Sequence, residues 1–323
     1  ARVDYDGTAS SLLVEPERTN LIPYSEDFSN ADWGNASIGT TPVLTSGFIS
    51  PDGTNNAYKI SNANQDSMWF SATLIGASDS RTIYARTVSG TGTAQLLSHN
   101  SNTNNTFNLT EEWQRFEVSA TTSGTGSTSY YAVDFRGSGT LTELLIWGAQ
   151  TEVGSYPTSY IPTNGEAGGV TRNQDIFTRD GIGSLINSTE GVLFVEMAAL
   201  SNDGTFRNIS LNNGTTGQTV RIYYRNQDNK ITVLIGSSSG ASVTIDVTDT
   251  LSFNKIAISY KVNDVRVFVN GSLEGTITSV AMPVGLNELA LDVANNLPFY
   301  GKVRQLQVYD TALTDEQLEA LTS

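Results

Sequence analysis

The chain contains no cysteine among its 323 residues, which excludes disulfides, iron–sulfur clusters, thiolate zinc sites and thiol nucleophiles together. It contains one histidine, His99, so a zinc site of the usual ligand set has too few donors, and a Ser-His-Asp triad would have to use that residue. Positive charge is scarce: 18 Lys and Arg face 33 Asp and Glu, for a formal net charge of −15. No basic run interrupts that balance, so the counterion release that drives nucleic-acid binding has no source, and anionic membrane surfaces are equally poor partners. No stretch approaches the roughly 18 apolar residues of a membrane span, and no membrane insertion is expected. The opening Ala1-Arg2-Val3 has neither an initiator Met nor a charged and apolar leader, so the chain reads as a piece of something longer.

What remains is rich in Gly, Ser, Thr and Asn. Hydrophobic residues make up 38% and charged residues 16%, the mixture of polar-faced strands and tight turns. The length allows two ordinary domains, each able to bury its own core. The fold class expected is all-β: two antiparallel β-sandwich domains of jelly-roll type in series, with one short C-terminal helix.

Residues 1–18 read as an N-terminal arm that packs on a domain or on a neighbouring chain. Residues 19–162 offer strands separated by polar turns at sandwich spacing, among them Ser67 to Leu74, Arg81 to Val88, Gln114 to Ala120 and Leu141 to Gln150. The segment Ser155 to Gly165 carries Pro157 and Pro162, which remove ladder donors, so it cannot be a central strand and reads as a linker. A second strand set follows within residues 163–323. In it Asn263-Asp264 and Asn270-Gly271 sit where hairpins need positive φ, and they predict a three-stranded meander. At the end Thr314 and Gln317 form a capping box, with Leu313 and Leu318 as the staple.

The residues Asn20-Leu21-Ile22-Pro23-Tyr24-Ser25-Glu26-Asp27-Phe28-Ser29, Trp33, Ser50-Pro51-Asp52-Gly53-Thr54, Glu112-Trp113-Gln114-Arg115-Phe116 and Leu145-Ile146-Trp147-Gly148-Ala149-Gln150 resemble jelly-roll carbohydrate-binding modules. The pieces Leu13 to Leu21 and Gln150 to Thr163 are similar to the version found in bacteriophage structural proteins of the tail-fibre or capsid-fibre type. In the second half, Ile256 to Tyr260, Val267 to Gly271 and Gly301 to Tyr309 resemble concanavalin A-like, laminin-G-like sandwiches. The resemblance implies a virion protein assembled in the host cytoplasm, meeting other virion proteins and host surface polysaccharide as a homo-oligomer. No cofactor is required, although jelly-roll modules often hold a structural calcium through carboxylates; Glu26, Asp27 and Asp134 are the candidate ligands.

Catalytic patterns are not found. Concanavalin-like glucanases carry Glu-x-Asp-x-x-Glu on one strand, a motif missing here: Glu196 precedes Met197 and Ala198, and Glu288 and Asp292 have no third carboxylate. Sugar binding asks instead for exposed aromatic faces with amides and carboxylates beside them. Trp113 and Trp147 read as core. Trp33 and Trp69 are stacking candidates, as are Tyr130 and Tyr131, where strand alternation turns one ring of each adjacent pair outward. In the second half Tyr223, Tyr224, Arg225 and Asn226, together with Asn295 and Tyr300, form two candidate rims. The expected function is therefore non-enzymatic: an attachment or decoration module binding polysaccharide weakly and multivalently. The alternatives are a purely architectural fibre or capsid component, and a polysaccharide-degrading enzyme or its accessory domains.

Overall fold

A computed structural model describes residues 2–5, 7–36, 41–63, 68–71, 78–97, 105–122, 130–136 and 139–323. His99 lies outside the described residues. Contacts divide the chain into two compact units, Glu17–Asn173 and a second one made of Ala1–Pro16 with Gln174–Ser323. The sequence reading set its boundaries at 18/19 and 162/163.

The N-terminal strands are β1 (Arg2–Tyr5) and β2 (Ser10–Val14). Those of Glu17–Asn173 are β3 (Arg18–Asn20), β4 (Trp33–Ala36), β5 (Val43–Phe48), β6 (Ala57–Ser61), β7 (Met68–Ser71), β8 (Ser78–Arg86), β9 (Gly92–Leu96), β10 (Asn105–Leu109), β11 (Gln114–Thr122), β12 (Tyr131–Asp134), β13 (Leu144–Val153) and β14 (Val170–Arg172). The remaining elements are β15 (Thr178–Arg179), β16 (Glu190–Ala199), β17 (Arg207–Asn212), β18 (Thr219–Tyr224), β19 (Lys230–Ile235), β20 (Ala241–Asp246), β21 (Asn254–Lys261), β22 (Val265–Val269), β23 (Ser272–Ile277), β24 (Glu288–Ala290), β25 (Gly301–Tyr309) and helix α1 (Asp315–Thr322).

The protein is all-β apart from that helix. In Glu17–Asn173, the described residues form two five-stranded antiparallel sheets, β10-β9-β12-β7-β4 and β11-β8-β13-β6-β5, with β14 pairing on β3. Between them Ile22, Phe28, Trp33, Ile60, Trp69, Ile83, Leu96, Tyr131 and Ile146 bury a common core. Burying each such side chain stabilises the fold by about 1.5–3 kcal/mol before the entropy of ordering it is subtracted.

The segment read as a linker is instead part of this unit. Its Tyr156, Thr158, Ile161 and Thr163 are buried. The Asn20 amide donates to Ile161 O at 2.7 Å, and the Thr163 hydroxyl to Ile22 O at 2.6 Å. The prolines do keep the segment out of the sheets, and side chains take over the polar pairing that a ladder would have supplied. Strand β13 breaks register between Trp147 and Gln150, where Gly148 has φ +66. A Cβ there would stand 3.2–3.4 Å from the Tyr84 and Tyr160 rings. Ile146 and Ala149 both reach the core, while Trp147 packs on Tyr84 and Tyr160 at 5.3 and 4.7 Å.

The other unit has a seven-stranded sheet, β1-β2-β25-β16-β21-β22-β23, facing a six-stranded one, β15-β24-β17-β18-β19-β20. The arm is thus two edge strands of the larger sheet, with Leu12 opposite Val303. Arg2 bridges Glu15 and Asp175, and Lys302 pairs with Asp4 at 2.7 Å. The expected meander is β21-β22-β23, with φ 58 at Asn263 and φ 49 at Asn270 in its turns. Thr314 and Gln317 form the reciprocal capping box, and Leu318 seals α1 onto Val192, Phe194, Ala257 and Phe268. Among the described residues no helix is long and apolar enough to cross a membrane.

Candidate functional site

In the unit Glu17–Asn173 an open groove of about 660 Å³ is bounded by the Glu26-Asp27 turn, Ser46 and Gly47 of β5, Asn55 and Asn56, Tyr58 of β6, and the chain from Pro162 to Glu166. Turn chemistry places these groups. Asp52 accepts from the Ser50 and Thr54 hydroxyls at 2.6 and 2.8 Å and from the Thr54 amide at 2.9 Å, an Asx-type turn that holds the following asparagines at the rim. The Asn56 amide donates to Glu26 Oε2 at 2.8 Å, and the Tyr160 hydroxyl donates to Glu26 Oε1 at 3.0 Å. The Tyr58 hydroxyl donates to Asp27 Oδ1 at 2.9 Å. Asn55, Asn164 and Glu166 stand exposed at the edge.

This lining is amide, hydroxyl, carboxylate and one tyrosine, the set that pairs with saccharide hydroxyls and C–H faces. Within it, Asp27 is not tuned as an acid catalyst. The Ser29 hydroxyl bond, chiefly, with the Tyr58 bond, holds the Asp27 carboxyl below the ordinary aspartate range against the opposing pull of burial. A glycosidic general acid needs the reverse shift.

The structure redistributes the residues read from sequence. Trp33, expected as a stacking face, is 6% exposed: its ring meets Phe28 at 4.7 Å and Tyr131 at 5.9 Å, and Nε1 donates to Tyr24 O at 2.9 Å. Trp69 and Tyr131 are likewise corrected to core, with the Tyr131 hydroxyl donating to Thr82 O at 2.6 Å. The outward members of the two alternating pairs are Phe70 and Tyr130, half-buried with centroids 4.8 Å apart. Trp113, expected in the core, is half-buried under Arg86, 5.4 Å from its ring centre. Trp147 is buried as expected.

In the second unit Tyr224 is core, donating to Met197 O at 3.2 Å. Tyr223 and Arg225 are half-buried on the opposite face of β18 and its continuation, and Asn226 is exposed. Asn295 is exposed at φ 62 with its amide N–H donating to Asp292, while the Tyr300 hydroxyl donates to Gln174 at 2.6 Å. Asn295 and Tyr300 therefore flank a turn. The calcium set does not converge either. Asp134 is committed to Arg136 through both oxygens, at 2.9 and 3.0 Å, whereas Glu26 and Asp27 line the groove. Among the described residues no three His, Cys, Asp or Glu side chains group to hold a metal.

Residues 193–319 match the model of the Concanavalin A-like lectin/glucanases superfamily. No curated protein matches the chain. Among solved structures, the Ruminococcus gnavus IT-sialidase CBM40 bound to alpha2,3 sialyllactose is similar over 46% of this chain and 98% of that one, at 17% identity and a TM-score of 0.38. Domain 4 of AbnA, a GH43 extracellular arabinanase from Geobacillus stearothermophilus in complex with arabinotriose, is similar over 50% and 84%, at 17% identity and 0.37. The SAP-like pentraxin from Limulus polyphemus is similar over 43% and 72%, at 15% identity and 0.35.

The sequence reading missed Asn55, Asn56, Tyr58, Asn164 and Glu166. One signal was present: the turn Ser50-Pro51-Asp52-Gly53-Thr54 ends directly in two asparagines.

Proposed function

We propose that this protein is a non-catalytic glycan-binding protein, and that the groove of Glu17–Asn173 is where it holds a saccharide. The observation that carries the reading is the groove itself, about 660 Å³ of open space lined by Glu26, Asp27, Asn55, Asn56, Tyr58 and Asn164. A site this open excludes little water, so each contact is weak, and useful avidity comes from many copies acting on one polymer. The motif resemblance to phage fibre proteins supports the narrower reading that this work is done on a virion, as attachment to host surface polysaccharide by a homo-oligomer among other virion proteins. The lectin-like match over residues 193–319 supports the same class of ligand.

The test is binding of the purified chain and of Asn55→Ala/Asn164→Ala to immobilised bacterial polysaccharides. Both side chains are exposed, so the variant keeps the wild-type melting curve and is expected to lose at least tenfold in affinity for the polysaccharide that wild type retains. Unchanged affinity would remove the groove from the account.

A further inference from the structure

The wall of the groove in Glu17–Asn173 carries charge of one sign. Glu26, Asp27 and Glu166 line it, and neither Lys nor Arg does. The bonds these carboxylates receive come from neutral donors. Glu26 Oε2 takes the Asn56 side-chain amide and Oε1 the Tyr160 hydroxyl. Asp27 Oδ1 takes the Ser29 backbone N–H at 3.0 Å, the Ser29 hydroxyl at 2.5 Å and the Tyr58 hydroxyl at 2.9 Å. Glu166 Oε2 takes the Asn164 backbone N–H at 2.6 Å. Such bonds fix the carboxylates in place and leave their charge uncompensated.

The lysine next in sequence to Tyr58 does not supply the missing cation. Lys59 carries its ammonium to Glu143 at 3.8 Å and over the Phe48 ring at 5.8 Å. A metal ion is not the match either, because among the described residues no three His, Cys, Asp or Glu side chains group to hold one. The Ser29 hydroxyl bond, chiefly, holds the Asp27 carboxyl below the ordinary aspartate range. Asp27 therefore stays charged at the mildly acid pH where a sugar amine is protonated.

The site is the groove, about 660 Å³ of open space, and the sign of its wall decides which sugar it prefers. A carboxylate accepts hydrogen bonds and donates none. A bond it accepts from a charged N–H is roughly twice as strong as one from a neutral donor. A sugar bearing its own carboxylate meets like charge there and is selected against.

We infer that the groove takes an amine-bearing sugar, a hexosamine whose free ammonium is received by the carboxylates of Glu26, Asp27 and Glu166. The neutral hydroxyls of the same sugar meet the exposed amides of Asn55 and Asn164, and the half-buried Tyr58 ring offers a surface for its C–H groups. The inference rests on the glycan-binding reading above and names the sugar class of that same site.

The experiment is calorimetric titration of the full chain, at mildly acid pH and low salt, with a β-1,4-linked glucosamine tetramer and with the same tetramer after N-acetylation. The two ligands share a backbone and differ in charge. Wild type is expected to bind the amine form at least tenfold more tightly, and the preference should shrink as salt is added. Asp27→Asn/Glu166→Gln retains an acceptor oxygen at each position, so it should keep the wild-type melting curve and lose most of the preference. If Asp27→Asn lowers the melting temperature, Glu166→Gln alone is the readout, with a partial loss expected. A chain of net charge −15 attracts any polycation diffusely, so the control is Glu274→Gln/Glu319→Gln, which neutralises two exposed carboxylates of the other unit and should keep the preference whole. Equal binding of the two forms, no binding of the amine form, an undiminished preference in the groove variants, or an equal loss in the control overturns the inference. Retention on a neutral polysaccharide that depends on Asn55 and Asn164, beside any of those results, would leave the glycan-binding reading standing, whereas binding of no saccharide would sink both.

Discussion

Trp33 and Asn55 illustrate why aromatic residues alone misdirect a search for a sugar site. Trp33 closes the core of its sandwich with Phe28 and Tyr131, so Trp33→Ala is expected to cost about 3–5 kcal/mol of stability. Its binding defect would then track its unfolding, which parallel melting and binding curves would show. The exposed Asn55 should do the opposite. Glu152 offers a second test at this scale. It is fully buried, accepting from the Thr158 amide at 3.0 Å and hydroxyl at 2.6 Å and from the Gln150 amide. Burial raises its pKa above 4.5 despite the Thr158 bonds, and burial likewise raises Asp79 above 3.8 despite Arg81. For such carboxyls the folded state binds more protons than the unfolded one, so stability falls as pH rises from the unfolded values through the folded ones. Thermal melts between pH 4 and 8 should therefore show a downward slope that Glu152→Gln reduces; an equal slope in the variant would argue against the shift.

At the scale of elements, α1 is short enough to depend on its cap. Thr314→Ala removes the hydroxyl that receives the Gln317 amide and is expected to destabilise the second unit by about 1 kcal/mol, measurable as a lower denaturant midpoint. Thr314→Asn, which keeps an acceptor, should restore most of it. This helix was legible in sequence because a capping box is local, and so was the meander, whose turns need positive φ at Asn263 and Asn270. The all-β class followed from composition in the same way. The arm and the segment Ser155 to Gly165 were not legible, since their partners are distant in sequence: Leu12 finds Val303, and Ile161 finds Asn20. Nothing local records such pairings. The groove suffers the same limitation, being assembled from three chain segments more than a hundred residues apart at the extremes. Alternation correctly required one ring of Trp69-Phe70 and of Tyr130-Tyr131 to face out, but the choice of face depends on register, which only the folded sheet fixes.

For the whole molecule, a net charge of −15 disfavours polyanionic partners such as nucleic acid, whose binding needs a surplus of Lys and Arg. The central claim is that the chain binds glycan and leaves it uncut. The most direct measurement is retention of the purified chain on a panel of bacterial polysaccharides, with polymer length determined before and after incubation. The account predicts retention by at least one polysaccharide, weakened at least tenfold in Asn55→Ala/Asn164→Ala, with no change in polymer length. Shortening of the polymer, or retention by none of them, would contradict it.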